Sequence, residues 1–279
     1  MISIDRFASL EALIRKADRD RYLASLFAPA HLRGHLFALY AFNYEIAKTA
    51  DSVSQPVMGQ IRLQWWREAV EEIYAGRARN HEIVLALAET VRARDLPRGL
   101  LDELIDARES DLDEAPFEDW RSLETYADAT SGHVMRLAAR ILGAESRLDQ
   151  AAHEAGIAYA LMGLLRAFPF HASRRRLLLP GAAMREAEVS QEQVFAGEMG
   201  PNVTALFASV VPRAAHRLEN ARKTPIPRAF LPALLPAATV PLYAKILTRP
   251  TFNPFRDSAE MSVHRRQLAM LRAMTIGRL

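Results

Sequence analysis

The sequence GIAYALMGLLRAFPFHASRRRLLLP occupies residues 156–180. Its first half places apolar side chains at the spacing of one helix face, at Ile157, Leu161, Leu164 and Leu165. Pro169 has no backbone N–H and clashes with the preceding turn of a helix, so we expect the helix to bend or end there. Three consecutive arginines then precede a Leu-Pro pair. The stretch predicts an apolar helix that leads into a basic turn.

Helical periodicity continues on both sides of this stretch. Residues 31–50 are almost unbroken helix formers, with apolar side chains along one side at Leu32, Leu36, Leu39 and Phe42. Pro56 is placed to open the next helix and Gly76 to close it. No run of alternating β-branched residues is long enough to predict a strand. The sequence therefore predicts an all-α protein of about ten helices.

Composition limits the classes of function. A net charge of +3 over 279 residues is too small to indicate a nucleic-acid partner. The absence of cysteine excludes a disulfide framework and a thiolate metal site. Residues 1–10 contain Asp5 and Arg6 and have no apolar signal-peptide core. We predict a cytoplasmic protein, with peripheral contact at the inner membrane left open.

The C-terminal part is rich in proline from about residue 225. Its uncharged run, 229–244, is shorter than the ~18 residues that indicate a membrane span, and three prolines interrupt it. We expect a kinked, buried or groove-lining helix there. No linker and no internal repeat divides the chain, so residues 1–279 are predicted to form a single domain.

Several blocks resemble the squalene/phytoene synthase family. Leu165, Arg166, Arg176, Leu179 and Pro180 match its second aspartate signature without a gap. Further matches occur, in the family's order, at residues 22–25, 37–42 and 123–135. The resemblance implies an isoprenoid-synthase-type helical bundle around a central apolar cavity. It predicts that the two signature segments meet at the mouth of that cavity.

The residues that hold magnesium in the family are mostly missing. Of the four signature aspartates only Asp51 is retained, and the other three positions are Ala47, Ala167 and His171. Magnesium prefers hard oxygen ligands, and one carboxylate supplies too few of them. No catalytic residue is assigned, and no cofactor is expected. Mg²⁺ is expected as a cofactor only if the protein is an active prenyl transferase.

Other positions match the family's ligand site. The resemblance implies that a diphosphate or another anion would meet Tyr22, Tyr44, Lys48, Arg166, Arg174, Arg175 and Arg176. It implies a cavity lining made of Leu36, Leu39, Tyr40, Leu161, Leu164, Leu165 and Phe168. Asp20 replaces a family serine near the diphosphate, and Asp111 falls at a family aspartate with a possible inward role.

The degenerate segments resemble one branch of the family, the phytoene-synthase-like assembly factors of respiratory complex I. The similarity lies in FNYEIA at 42–47, DSVS at 51–54 and LRAFPFHASRR at 165–175. It implies a non-catalytic role at the membrane surface, with a complex I subunit or another assembly protein as partner. Two alternatives remain: a head-to-head prenyl transferase that uses prenyl diphosphates, and a carrier of a prenyl lipid or phospholipid.

Overall fold

The computed structural model describes residues 3–113 and 115–279, and every regular element within these ranges is helical. The α-helices are α1 (Ser3–Ala17), α2 (Arg19–Ser25), α3 (Ala30–Ala47), α4 (Pro56–Tyr74), α5 (Glu82–Arg94), α6 (Arg98–Ala107), α7 (Trp120–Ala127), α8 (His133–Ile141), α9 (Asp149–Arg166), α10 (Phe168–Ser173), α11 (Gly181–Glu186), α12 (Gln191–Phe195), α13 (Pro201–Ala221), α14 (Val240–Leu247) and α15 (Val263–Ile276). The all-α prediction is confirmed. The expected number of about ten was too low because several connections form short helices of five to eight residues.

Helix α9 lies at the centre of the bundle and packs against α13, α8, α7 and α14. It also contacts a π-helical segment, Asp128–Gly132, that joins α7 to α8. At the crossing, a side chain on Gly156 would place its Cβ only 2.3 Å from the Cα of Gly132. Two glycines therefore allow the two backbones to touch, and this close approach fixes the depth of α9.

Helix α3 is the second buried element, packed between α1, α5 and α8. Residues from Leu36 to Asn43 are buried without interruption, so the helix has no solvent-facing side over these two turns. A helix that is apolar all round belongs in the interior of a bundle. Helices α3 and α9, which lead into the two signature segments, are therefore both buried in the bundle.

Helix ends follow the proline positions. Helix α9 ends at Arg166, and Pro169 lies in the first turn of α10, where its missing N–H costs nothing. Pro56 likewise opens α4. After α10 the chain turns through Arg175, which adopts a left-handed backbone with φ of 55°. This turn directs the arginines on either side of it back toward α3.

The proline-rich part is buried over residues 231–240 but is not one kinked helix. Residues Leu231–Ala233 and Leu235–Thr239 form two 3₁₀ turns, followed by α14. Proline has no backbone N–H, so closely spaced prolines remove donors that a continuous α-helix needs. Short 3₁₀ turns form here instead, because each of them needs only a few backbone hydrogen bonds. The two turns pack on α8, α9, α2 and α15. Within the described ranges, no helix combines the length and apolar character needed to cross a bilayer.

Candidate functional site

A cavity of about 790 Å³ opens between α2, α3, α9, α10 and α15. The four signature positions, Ala47, Asp51, Ala167 and His171, all contribute to its wall. The prediction that these positions meet around one cavity is therefore confirmed. We call this space the central cavity.

The wall of the central cavity is charged, whereas an apolar wall was expected. Its ionisable lining residues include Lys16, Asp18, Arg19, Asp20, Arg21, Asp51, Arg108, Asp111, Arg166, Arg176, Glu260 and Arg266. Of the seven residues predicted to line it, only Leu164 does so. Leu165 and Phe168 join Leu164 around an adjoining, mainly apolar cavity of about 10 Å³, too small for a lipid chain.

The other predicted lining residues belong to the core. Leu36, Leu39, Tyr40 and Leu161 are buried in contact with neighbouring helices. In α9 the cavity face carries Ala160 and Gly163, followed by Ala167 just after the helix, and the stripe that includes Leu161 is rotated away from it. The ring of Tyr40, on α3, is covered by the guanidinium of Arg21, on α2, which lies 5.7 Å from the ring centroid. The prediction of an apolar wall was wrong because it assigned the core-facing stripes to the cavity.

Asp51 is held by two arginines of the basic turn. Its Oδ1 accepts from Arg174 Nη1 at 3.2 Å and from Arg176 Nη1 at 3.3 Å. The second guanidinium nitrogen of Arg176 lies 3.2 Å from Oδ1 of Asp111. Arg176 thus bridges a carboxylate after α3 and a carboxylate after α6. One largely buried cation is thus shared by two acids that face the same cavity.

Asp111 has further partners, and this confirms an inward role for it. The Tyr126 hydroxyl donates to its Oδ1 at 2.6 Å, and Arg108 Nη1 donates to its Oδ2 at 3.2 Å. The carboxylate is only 6% exposed. A buried carboxylate is stable only when its lone pairs are paired with donors. Asp111, Tyr126, Arg108 and Arg176 therefore form one network.

A second network of the cavity wall is centred on Asp20. Asp20 is buried, and its Oδ2 accepts from the Tyr159 hydroxyl at 3.1 Å and from Arg166 Nη1 at 3.4 Å. Arg266 of α15 reaches Oδ1 of Asp20 at 3.5 Å. Burial raises the pKa of the Asp20 carboxyl, and the two arginines oppose that effect. Asp20 thus anchors two arginines in the cavity wall.

Several of these residues were not predicted from the sequence. Arg21 pairs with Asp18 at 2.7 Å, and Arg108, Tyr159 and Arg266 complete the two networks. The DRDR run at 18–21 offered a local signal, because its alternating charges begin a short helix. Arg266 offered none, because it lies far along the chain from every partner. Only the folded chain brings α15 beside α2.

The predicted anion ligands divide into two groups. Tyr44, Arg166 and Arg176 line the central cavity, and Arg174 reaches Asp51 from outside the lining. The other three lie outside the lining, and each has another partner within the protein: Tyr22 stacks on Phe37, Lys48 pairs with Glu45, and Arg175 lies over the Phe195 ring. Anion binding by these residues stays a prediction. The basic turn is therefore committed to ion pairs and ring contacts within the protein.

His171 occupies a position where the family has an aspartate. Burial, together with the neighbouring Arg176, lowers the pKa of this imidazole to about 4. The ring is therefore neutral at physiological pH. A neutral imidazole adds no negative charge to the cavity, and it favours softer metals over magnesium.

The residues present do not fit a magnesium cluster. Ala47 and Ala167 offer no ligand, and His171 offers a nitrogen. The carboxylates of Asp51 and Asp111 already accept from arginines. Within residues 3–113 and 115–279 no group of three or more His, Cys, Asp or Glu side chains is placed to hold a metal ion. The oxygens that a divalent cation would need are instead paired with guanidinium groups.

Known proteins share this architecture. The family model described as "Squalene/phytoene synthase" matches residues 14–269. NADH dehydrogenase (ubiquinone) complex I, assembly factor 6 of Mus musculus is 33% identical over 251 residues, covering 89% of this chain and 75% of that protein. The 15-cis-phytoene synthase of Synechococcus elongatus is 24% identical over 276 residues, covering 91% and 89% respectively. A solved dehydrosqualene synthase in complex with a ligand has a TM-score of 0.86 at 19% identity, covering 98% of this chain and 96% of that one.

These similarities agree with the two levels of resemblance in the sequence. The structural likeness confirms the isoprenoid-synthase-type fold. The higher identity to the mouse assembly factor than to the Synechococcus synthase agrees with the matches at 42–47 and 165–175. A family model that spans most of the chain, from α1 to α15, is decisive for the classification. The chain belongs to the squalene/phytoene synthase family.

Proposed function

We propose that this protein takes part in the assembly of respiratory complex I at a membrane surface and does not catalyse prenyl transfer. Its partner in this role is a complex I subunit or another assembly protein. The relatives named complex I assembly factor 6 support the process. The observation that carries the non-catalytic part is the pairing of Asp51 and Asp111 with Arg176.

The paired aspartates bear directly on the alternative of a prenyl transferase. Ionising an allylic diphosphate requires cations that neutralise the leaving group, and family members use magnesium ions held by aspartates for this. Here Arg166 and Arg266 pair with Asp20, and Arg176 pairs with Asp51. These acids are engaged by arginines and are not free to hold a metal cluster.

The alternative of a lipid carrier is opposed by the shape and polarity of the interior. A prenyl chain needs an apolar tunnel, and pockets for such ligands are lined mainly by hydrophobic side chains. The apolar cavity beside α9 has a volume of only about 10 Å³, while the large cavity has a charged wall. The space that a lipid chain would need is filled by the core.

Deletion of the gene in its own host tests the proposed function. We expect the deletion strain to lose most of its assembled complex I on native gels, together with its NADH-dependent quinone reduction. Wild-type protein should restore both. An Asp51→Asn variant should restore them equally, because a non-catalytic protein does not need the retained signature carboxylate for chemistry.

Normal levels of complex I in the deletion strain would overturn the role in assembly. If only the wild-type protein restored complex I, and the folded Asp51→Asn variant did not, the non-catalytic part of the proposal would be wrong. Levels of an unrelated respiratory complex serve as the control for general loss of membrane protein.

A further inference from the structure

Helix α15 is packed on one side only. Its inner side, with Arg266, Met270 and Ala273, is buried against α2 and the 3₁₀ turn Leu235–Thr239. On the outside, Leu268, Leu271 and Ile276 are 67%, 52% and 60% exposed. Large aliphatic side chains exposed to this extent along one helix indicate a surface that contacts something apolar. We call the exposed side the outer face of α15.

The outer face is also basic. Arg265 and Arg272 are exposed among the leucines, and Arg278 is exposed just beyond the helix. Residues 261–279 contain no aspartate or glutamate. A helix that presents leucines together with arginines on its exposed side has the composition of an interfacial helix, which lies in the plane of a bilayer. Its charge is complementary to anionic lipid headgroups and not to a basic or neutral surface.

A second exposed apolar patch provides a comparison. Val57, Met58 and Ile61 are 51%, 51% and 59% exposed in the first turns of α4. The only basic residue in these turns is Arg62, which pairs with Glu45. This patch therefore equals the outer face of α15 in apolar exposure but offers no free positive charge beside it.

We propose that the outer face of α15 docks onto an anionic lipid bilayer, with the helix lying parallel to the membrane plane. The inner side holds the helix to the bundle through the ion pair of Arg266 with Asp20, so the whole domain follows the helix to the surface. The leucines enter the boundary between headgroups and acyl chains, and the arginines meet lipid phosphates. The biological meaning of this surface rests on the proposed function, since complex I is built in a membrane.

Sedimentation of the full chain with vesicles tests this surface. The wild-type protein should bind phosphatidylcholine vesicles that contain phosphatidylglycerol, should bind pure phosphatidylcholine much more weakly, and should be released by salt. The double variant Leu268→Asp/Leu271→Asp should bind roughly a hundredfold more weakly, because two leucines that would enter the bilayer are lost and two negative charges face the anionic lipid. Arg265→Gln/Arg272→Gln should bind about tenfold more weakly at low salt.

Ile61→Asp on α4 is the matched control, and it should bind like the wild type. Circular dichroism must show that each variant is folded before its binding is compared. Wild-type protein that stays in the supernatant with phosphatidylglycerol vesicles would overturn the proposal and leave a protein as the occupant of this face. Equal weakening by Ile61→Asp would also overturn it, because binding would then not be specific to α15.

The deletion strain separates this inference from the proposed function. If the Leu268→Asp/Leu271→Asp protein fails to bind vesicles and fails to restore complex I, both stand. If the wild type does not bind vesicles but restores complex I, the membrane surface is wrong and the assembly role stands. If vesicle binding follows the expected pattern but the deletion strain has normal complex I, the assembly role is wrong and the surface stands.

Discussion

Gly156→Ala is expected to lower the free energy of unfolding by about 3 kcal/mol, a large effect for the addition of one methyl group. The new Cβ would lie 2.3 Å from Gly132 Cα and 2.4 Å from Gly132 N, and a third contact is also with backbone, at Ser131. Backbone atoms cannot rotate away as a flexible side chain can. Helix α9 or the π-helical segment must shift, and the contacts around both are lost. Urea unfolding followed by circular dichroism measures the change.

Gly163→Ala in the same helix is the control. No atom lies within 4 Å of a Cβ built at this position. Alanine has the higher helix propensity, so this variant should be as stable as the wild type or more stable by about 0.5 kcal/mol. Equal destabilisation by the two substitutions would show that the contact between α9 and Gly132 is not what makes Gly156 necessary.

Arg176→Met should be the most damaging change in the wall of the central cavity, lowering the free energy of unfolding by about 3 kcal/mol. Methionine keeps much of the apolar stem and removes the guanidinium. Asp111, which is buried, then loses a cation and keeps only Arg108 and Tyr126. Leaving a charge buried with too few partners costs more than the ion pair itself is worth.

Arg174→Met tests whether the cost comes from burial or merely from the loss of positive charge. Both arginines contact the same oxygen of Asp51, but the side chain of Arg174 is 43% exposed and that of Arg176 is 13% exposed. Exposed ion pairs contribute less than about 1 kcal/mol, so this variant should stay close to the wild type. The interpretation of Arg176 as a buried bridge would fail if Arg174→Met were equally destabilised.

The all-α class and the meeting of the signature segments could be predicted from the sequence, because both depend on local pattern. The spacing of apolar residues and the positions of proline indicate the helices. The ungapped match from Arg166 to Pro180 indicates that the basic turn follows α9 as it does in the family. Ala47 and Ala167 therefore lie at one cavity, as expected. These features need only short-range information and a shared fold.

The polarity of the cavity could not be predicted in the same way. It depends on which side of each helix faces inward and on cations that arrive from distant parts of the chain. Arg266 meets Asp20 across almost the whole sequence, and Arg176 meets Asp111 from a different helix connection. A resemblance to enzymes with an apolar tunnel also led to the wrong stripe of α9. The loss of metal ligands was visible in the sequence, whereas their replacement by arginine required the structure.

A direct test of the central claim is a turnover assay with farnesyl or geranylgeranyl diphosphate and Mg²⁺. A phytoene synthase of the same family serves as the positive control. The purified protein should form no squalene- or phytoene-like hydrocarbon, because the acids at its signature positions are missing or paired with arginines. Magnesium-dependent formation of such a product by the wild type, abolished in Asp51→Asn, would contradict this expectation.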